Sequence, residues 1–155
     1  MIKKIFCFLT LGLMTILNAN DVPITGVHIQ KLVHSARAAR EKAYAPYSKY
    51  LVGAALMTKN YEIIEGCNIE NASYGLTICA ERCAVFSALS QEKNDFVAIA
   101  VVTKDGGFPC GACRQVLNEF NPNMMVIIAN EKGEIVQQTS LSKLLPSAFG
   151  PHNLS

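Results

Sequence analysis

The sequence predicts an α/β fold of three layers, α/β/α, with a mixed five-stranded sheet between the helices. Two observations predict it: helical and strand patterns alternate along the chain, and two of the strands are continuous apolar runs. A third concerns size and composition. The chain has 155 residues, of which 50% are hydrophobic and 17% charged, as expected for one packed domain and not for a disordered chain.

In the first part of the chain after the N-terminal segment, the sequence pattern predicts a helix followed by a hairpin. Apolar residues recur at helical spacing after Thr25, a residue suited to the N-cap, and Pro46 ends the pattern. We therefore expect a helix over residues 25–43. Residues 51–58 and 61–68 are predicted as two strands joined by a tight two-residue turn.

The second part repeats a helix-then-strand unit. Its two apolar strands have the pattern of strands that are buried on both faces. The predicted elements are a helix at 79–89, a strand at 96–102, a helix at 110–120, a strand at 124–129, an edge strand at 134–138 and a short helix at 140–145.

Residues 1–19 resemble a secretory signal peptide, with two lysines, an apolar run and the small residue Ala19 before a cleavage point. The run is shorter than the roughly 20 residues that span a bilayer, so we expect no stable membrane association. The alternative is that translation begins at Met14, in which case the leader is not part of the natural protein. We divide the chain into this leader and one domain over 20–155.

The charge of the body argues against a nucleic acid partner. Outside residues 1–19, the 12 Lys and Arg residues equal the 12 Asp and Glu residues in number. A neutral body lacks the basic surface that binds phosphates. We therefore expect a small-molecule substrate.

Three of the six cysteines, Cys79, Cys110 and Cys113, occur at the starts of two predicted helices. Unpaired N–H groups and the helix dipole favour thiolate there, and three protein ligands with an open fourth position are typical of catalytic zinc. Alternatively, Cys110 and Cys113 alone form a redox pair, but such a pair needs no third cysteine. Glu81, two residues after Cys79, is either a first-turn acid that favours the helix dipole or a general acid–base group; its place beside a presumed ligand favours the second role.

These motifs resemble those of the small, homotetrameric, zinc-dependent cytidine deaminases. The zinc-deaminase signature combines H-x-E, here in its all-cysteine form Cys79-Ala80-Glu81, with P-C-x-x-C, here at 109–113. Further similar stretches lie at 45–48, 52–56, 66–72 and 144–149. The resemblance therefore covers the body from about residue 25 onward.

The resemblance implies the cytidine deaminase-like fold and a cytoplasmic enzyme of pyrimidine salvage. It would hydrolyse cytidine and deoxycytidine to uridine and deoxyuridine with release of ammonia. Zinc held by the three cysteines would activate water, and Glu81 would carry the protons. Arg82 would donate a hydrogen bond to a ligand sulfur and offset part of the thiolate charge.

The resemblance also implies the substrate contacts. Asn68 and Glu70 match residues that bind the ribose 3′-hydroxyl, and we expect both on one face of a strand. The backbone of Ala80 would hold the base. Phe149 would stack on the base in a neighbouring subunit's site, which implies a homotetramer with shared active sites.

Two positions depart from the family pattern. Tyr50 replaces a Phe that usually lies beside the pyrimidine, so its hydroxyl needs a partner or water. Cys83 replaces a hydroxyl residue; we expect a buried packing thiol there, with oxidative damage as the alternative in an exported protein. Cys67 is expected to be structural.

Two other functions compete with this interpretation. One is deamination of another free aminopyrimidine nucleoside, such as a nucleoside antibiotic. The other is a structural zinc module without catalysis, which would need a fourth protein ligand and would leave Glu81 dispensable.

Overall fold

The computed structural model describes residues 23–154 and confirms the α/β fold. The predicted leader lies outside these residues. In chain order the helices and strands are α1 (Gly26–Arg40), β1 (Gly53–Thr58), β2 (Ile63–Cys67), α2 (Ala80–Leu89), β3 (Phe96–Val102), α3 (Gly111–Asn118), β4 (Met125–Ala129), β5 (Ile135–Ser140) and α4 (Leu141–Leu144). Short 3₁₀ turns at Tyr74–Leu76 and Pro151–Asn153 complete the described part.

The five strands form one mixed sheet in the order β2-β1-β3-β4-β5. Only β3 and β4 pair in parallel; the other neighbours in the sheet are antiparallel. Alternate residues of the inner strands enter two apolar cores, because successive side chains of a strand point to opposite faces. One core lies against α1, and the other lies under α2, α3 and α4. The predicted three layers are therefore present.

None of the helices within residues 23–154 has the length and apolar character needed to cross a bilayer.

Helix α1 begins as predicted but ends earlier. Thr25 is its N-cap and accepts a hydrogen bond from His28 N in a capping box. The helix ends at Arg40 and not at residue 43, because the chain turns there to pair Tyr44 with the segment after β2. Tyr44 N donates to Asn68 O at 3.0 Å, so the extended stretch starts before Pro46 is reached.

The hairpin turn is longer than the predicted two residues. β1 ends at Thr58 and β2 begins at Ile63, which leaves four residues in the loop. Tyr61 takes a positive φ of 63° there and stacks on His28 of α1, with ring centroids 4.4 Å apart. The longer loop allows Tyr61 to contact α1. The hydrophobic periodicity of the two strands does not predict this contact.

Helix α2 lies unusually close to the sheet because β2 carries a glycine at the contact. A Cβ atom on Gly66 would overlap the backbone of Ala80 and Ala84. Since α2 begins directly after Cys79, the close packing at Gly66 also determines how far that cysteine lies from the sheet. Gly53 allows the corresponding approach of α1 on the opposite face.

We predict that Gly66→Ala destabilises the protein by about 1–3 kcal/mol or more, because α2 must move away from β2. Gly26→Ala is the matched control, since a Cβ at Gly26, the first residue of α1, meets nothing within 4 Å. It should be neutral or slightly stabilising. Urea unfolding of the three proteins measures both effects, and equal stabilities would contradict the packing argument.

Candidate metal centre and active site

The three thiols predicted to converge do so at the starts of two helices. Cys79 is the N-cap of α2, Cys110 is the N-cap of α3, and Cys113 lies in the first turn of α3. Arg114 fixes the start of α3 by donating to Pro109 O and to Leu144 O, both at 2.8 Å. The loop that carries Cys110 is therefore tied to α4.

The thiol cluster has the geometry and chemistry of a zinc site. The Sγ atoms of Cys79, Cys110 and Cys113 all lie within 4.8 Å of one another. Zn–S bonds of about 2.3 Å in a tetrahedron place sulfurs about 3.8 Å apart, so little movement is needed. Two helix N-termini direct unpaired N–H groups and positive dipole ends at this point. Within residues 23–154 no other group of three candidate ligands of this kind occurs.

The guanidinium of Arg82 supplies positive charge to the cluster. Arg82 Nη2 donates to Cys79 Sγ at 3.4 Å. Its Nε is buried and has no hydrogen-bond partner among the residues that the structure describes. A hydrogen bond from Cys113 and the charge of Arg82 lower the pKa of Cys79 to about 5 despite its burial. The same contact and burial raise the pKa of Cys113.

Glu81 lies in the first turn of α2 and is only 4% exposed. Burial raises the pKa of its carboxyl, and the nearby charge of Cys79 adds to the effect. A buried carboxyl with a raised pKa beside a thiol cluster is suited to accept and return protons.

A cavity of about 320 Å³ opens beside the cluster and has the size of a small-molecule site. Cys79, Cys110 and Glu81 line one side of it, whereas Cys113 is buried behind them. The remaining lining residues are Ser48, Tyr50, Val52, Asn68, Thr77, Ile78, Val101, Thr103, Gly107 and Phe108. Two of the predicted substrate residues, Tyr50 and Asn68, therefore share one cavity with Glu81.

Asn68 shapes the cavity wall through its side-chain amide. Its Nδ2 donates to Tyr50 O, and its Oδ1 accepts from Val52 N, each at 2.8 Å. One hydrogen bond at each end of the amide thus holds the segment that carries Tyr50, and Asn68 is 8% exposed.

The strand that was expected to carry Asn68 and Glu70 ends before both residues. β2 ends at Cys67, and Ile69 makes only isolated bridges to Tyr44 and Ile78. The chain leaves the sheet here because Glu70 N pairs with Tyr44 O in the turn after α1.

Glu70 lies in an adjoining cavity that shares Ser48 and Thr77 with the first. Its carboxylate accepts hydrogen bonds from Tyr47 N at 2.8 Å and from Ser48 N at 3.2 Å. Hydrogen bonds from Ser48 and Tyr47 lower its pKa. Glu70 is therefore ionised, and it lines the adjoining cavity and not the cavity that contains Glu81.

Ala80 and Phe149 do not line the cavity of their own chain. Ala80 is the first residue of α2 and is fully buried. The Phe149 side chain is 58% exposed, although its carbonyl accepts from Gln115 Nε2 at 2.9 Å and from Asn118 Nδ2 at 3.2 Å. The backbone at Phe149 is fixed while its ring points outward.

The two other described cysteines lie outside the cluster. Cys83 is half-buried and not buried as predicted, because it lies toward the outer face of α2, where Phe86 is 49% exposed. Burial still raises the pKa of its thiol. Cys67 is half-buried too, and its Sγ lies 3.6 Å from Lys42 O.

Several cavity residues were not predicted from the sequence. Thr77 precedes the first cysteine motif by two residues, and Thr103 directly follows the carboxyl end of β3. Side chains at the carboxyl ends of parallel strands commonly line a crevice, so the position of Thr103 was available as a signal. The sequence contains no comparable signal for Phe108.

Comparison with known proteins agrees with this geometry. The profile of the cytidine and deoxycytidylate deaminase zinc-binding region matches residues 27–129. The cytidine deaminase of Sporosarcina psychrophila is 50% identical over 130 residues, which are 82% of this chain and 95% of that protein. The crystal structure of cytidine deaminase from Burkholderia pseudomallei, 52% identical, superimposes with a TM-score of 0.73 over 77% of this chain and 97% of that chain.

A further relative is less similar to this chain. Blasticidin-S deaminase of Bacillus cereus is 33% identical over 112 residues, which are 66% of this chain and 79% of that protein. The sequence profile and the relatives that are half identical over nearly their whole length decide the family. The chain belongs to the zinc-binding cytidine and deoxycytidylate deaminases.

Proposed function

We propose that the protein catalyses the zinc-dependent hydrolytic deamination of cytidine and deoxycytidine, for pyrimidine salvage. The observation that carries this proposal is the buried carboxyl of Glu81 beside three clustered thiols, at the wall of a cavity of about 320 Å³. The overall reaction consumes one water and yields uridine or deoxyuridine and ammonia.

Cys79, Cys110 and Cys113 would hold the zinc, and their number leaves a fourth position open. Bound zinc in such a site supplies Lewis-acid activation of water near neutral pH. The charge of three thiolates exceeds that of Zn²⁺ and opposes this activation. The N-termini of α2 and α3 and the Arg82 guanidinium offset part of that negative charge.

Glu81 would move both protons of the reaction. The water oxygen bonds to C4 of the base, and the C4–N4 bond breaks. One water proton passes through Glu81 to N3, where the product keeps it. The other passes to the departing nitrogen, which leaves as ammonia. A single carboxyl serves both transfers because it is fixed on the first turn of α2, two residues from Cys79.

The remaining predicted residues would orient the nucleoside. The Tyr50 ring forms one wall of the cavity, and Asn68 holds that wall in place while lining the cavity beside it. We assign Asn68 and Glu70 to the ribose 3′-hydroxyl and the Ala80 backbone to the base. For Glu70 this requires the sugar to reach the adjoining cavity, past Ser48 and Thr77.

The competing functions have less support. The antibiotic deaminase relative is 33% identical, against 50% for the cytidine deaminase relative. A structural zinc module needs a fourth protein ligand, and the candidate group among residues 23–154 has three members. It also leaves the burial of Glu81 unexplained.

We further propose that four chains assemble with shared active sites in the cytoplasm. An outward-pointing Phe149 ring is available to a neighbour's cavity. Several aromatic residues near the site are also exposed, which favours their burial between subunits: Tyr44 by 60%, Tyr47 by 48% and Tyr74 by 71%. The intact mass of the mature protein shows where its N-terminus lies, and therefore whether residues 1–19 are removed on export.

Replacing Glu81 with Gln should lower kcat for cytidine by about 10³-fold or more, because an amide keeps the shape but cannot carry protons. Zinc content and nucleoside binding should persist. The matched control is Glu119→Gln, an exposed carboxyl at the end of α3, which should leave turnover unchanged. A zinc-loaded Glu81→Gln protein within about tenfold of the parent would contradict the role of Glu81.

Cys110→Ala should lose zinc and thermal stability together, since metal binding is coupled to folding. Elemental analysis should find one zinc per parent chain and a small fraction of that in the variant. Cys67→Ala is the control, because its thiol lies outside the cluster and should leave zinc content unchanged. Full zinc occupancy in Cys110→Ala would exclude Cys110 as a ligand.

Mixing inactive chains tests the shared sites. In a dissociated and reassembled mixture, Glu81→Gln chains provide intact Phe149 rings to Phe149→Ala chains, which keep Glu81. Activity should exceed the average of the two variants assembled separately. Activity equal to that average, or a fully active monomer, would contradict the shared-site assembly.

A further inference from the structure

The hydroxyl of Tyr50 joins two walls of the active-site cavity. It donates a hydrogen bond to Asp105 Oδ1 at 2.9 Å, across 55 residues of sequence. Tyr50 belongs to the segment that precedes β1, whereas Asp105 belongs to the loop that leads from β3 to Cys110. The side chain that departs from the family pattern therefore has a specific partner within the chain.

The loop around Asp105 is shaped to receive this hydroxyl. Thr103 Oγ1 donates to the same Asp105 oxygen at 3.2 Å and accepts from Gly107 N at 2.6 Å. A Cβ on Gly107 would lie only 2.7 Å from the Tyr50 hydroxyl, so glycine is needed for the approach. Three groups of one loop thus define the position of the phenol oxygen.

The other end of Tyr50 is fixed as well. Its carbonyl accepts from Asn68 Nδ2 at 2.8 Å, and its N–H donates to Ser48 Oγ at 3.0 Å. Packing contributes less, because the residue is 40% exposed. Hydrogen bonds at the backbone and at the hydroxyl therefore determine where the ring lies.

We propose that the Tyr50–Asp105 hydrogen bond is a positioning device that sets the aromatic wall of the cavity before the nucleoside binds. The inference rests on the proposed nucleoside substrate. Asp105 does not line the cavity and acts through Tyr50. Fixing a ring in its bound orientation reduces the conformational entropy lost on binding, so the device should act on KM and leave the proton transfers of Glu81 unchanged.

Asp105 also offers a readout that is independent of activity. The hydrogen bond from Tyr50 is the largest cause that lowers the pKa of the Asp105 carboxyl, followed by the bond from Thr103. Lys104 is the nearby cation that acts on Asp105, and Arg40 acts on Tyr50. The chain has three aspartates, Asp21, Asp95 and Asp105, so selective ¹³C labelling of aspartate gives a simple carboxyl spectrum. The signal that is missing from Asp105→Ala belongs to Asp105.

The test uses Tyr50→Phe, Asp105→Ala and their combination in the zinc-loaded, assembled protein. Tyr50→Phe and Asp105→Ala should each raise KM for cytidine about 2- to 12-fold, the factor that one net hydrogen bond represents, with kcat within about twofold. The double variant should match the single ones. Asp105→Asn keeps an acceptor oxygen and should retain the parent KM. Tyr61→Phe, on the hairpin loop against α1, is the control.

Carboxyl titration should show a higher Asp105 pKa in Tyr50→Phe and no change in Tyr61→Phe. An unchanged Asp105 pKa would overturn the hydrogen bond itself. KM changes that add in the double variant, or an unchanged KM in an active Tyr50→Phe protein, would overturn its positioning role. A parent that binds zinc but does not turn over cytidine would instead refute the proposed function, and the positioning role with it.

Discussion

Convergence of two helix N-termini on one point is the constraint on which the rest of the structure depends. Cys79 and Cys110 are both N-cap residues, and their helices must meet at one end of the sheet for the thiols to lie within 4.8 Å. Gly66 sets the depth of α2, and Arg114 ties the start of α3 to α4. The packing of the sheet thereby determines the geometry of the metal centre.

The same constraint organises the chemistry around the thiols. Because α2 starts at the cluster, its first turn places Glu81 and Arg82 beside the sulfurs, one at the cavity and one against Cys79. The base, the charge compensation and one of the three ligands, Cys79, therefore come from a single helix start. The opposite wall of the cavity has a different origin: it is a segment outside regular secondary structure, held by Asn68 at its backbone and by Asp105 at the Tyr50 hydroxyl.

Features that depend on local periodicity and short spacing could be predicted from the sequence. The two apolar strands and the cysteine motifs at helix starts are of this kind, and they sufficed for the fold class and the thiol cluster. Features that depend on contacts between distant segments could not be predicted. Helix α1 ends at Arg40 because Tyr44 pairs beyond β2, and Glu70 leaves the strand for the same reason. The partner of the Tyr50 hydroxyl lies 55 residues away and follows from the loop fold alone.

In the proposed active site, three cysteines hold a catalytic zinc and leave its fourth position open. X-ray absorption at the zinc edge of the purified, active protein tests it most directly. We predict a first shell of three sulfur atoms at about 2.3 Å and one oxygen at about 2.0–2.2 Å. Four sulfur atoms, or a shell containing a histidine nitrogen, would contradict the account, because the metal would then be a structural ion or bound elsewhere in the chain.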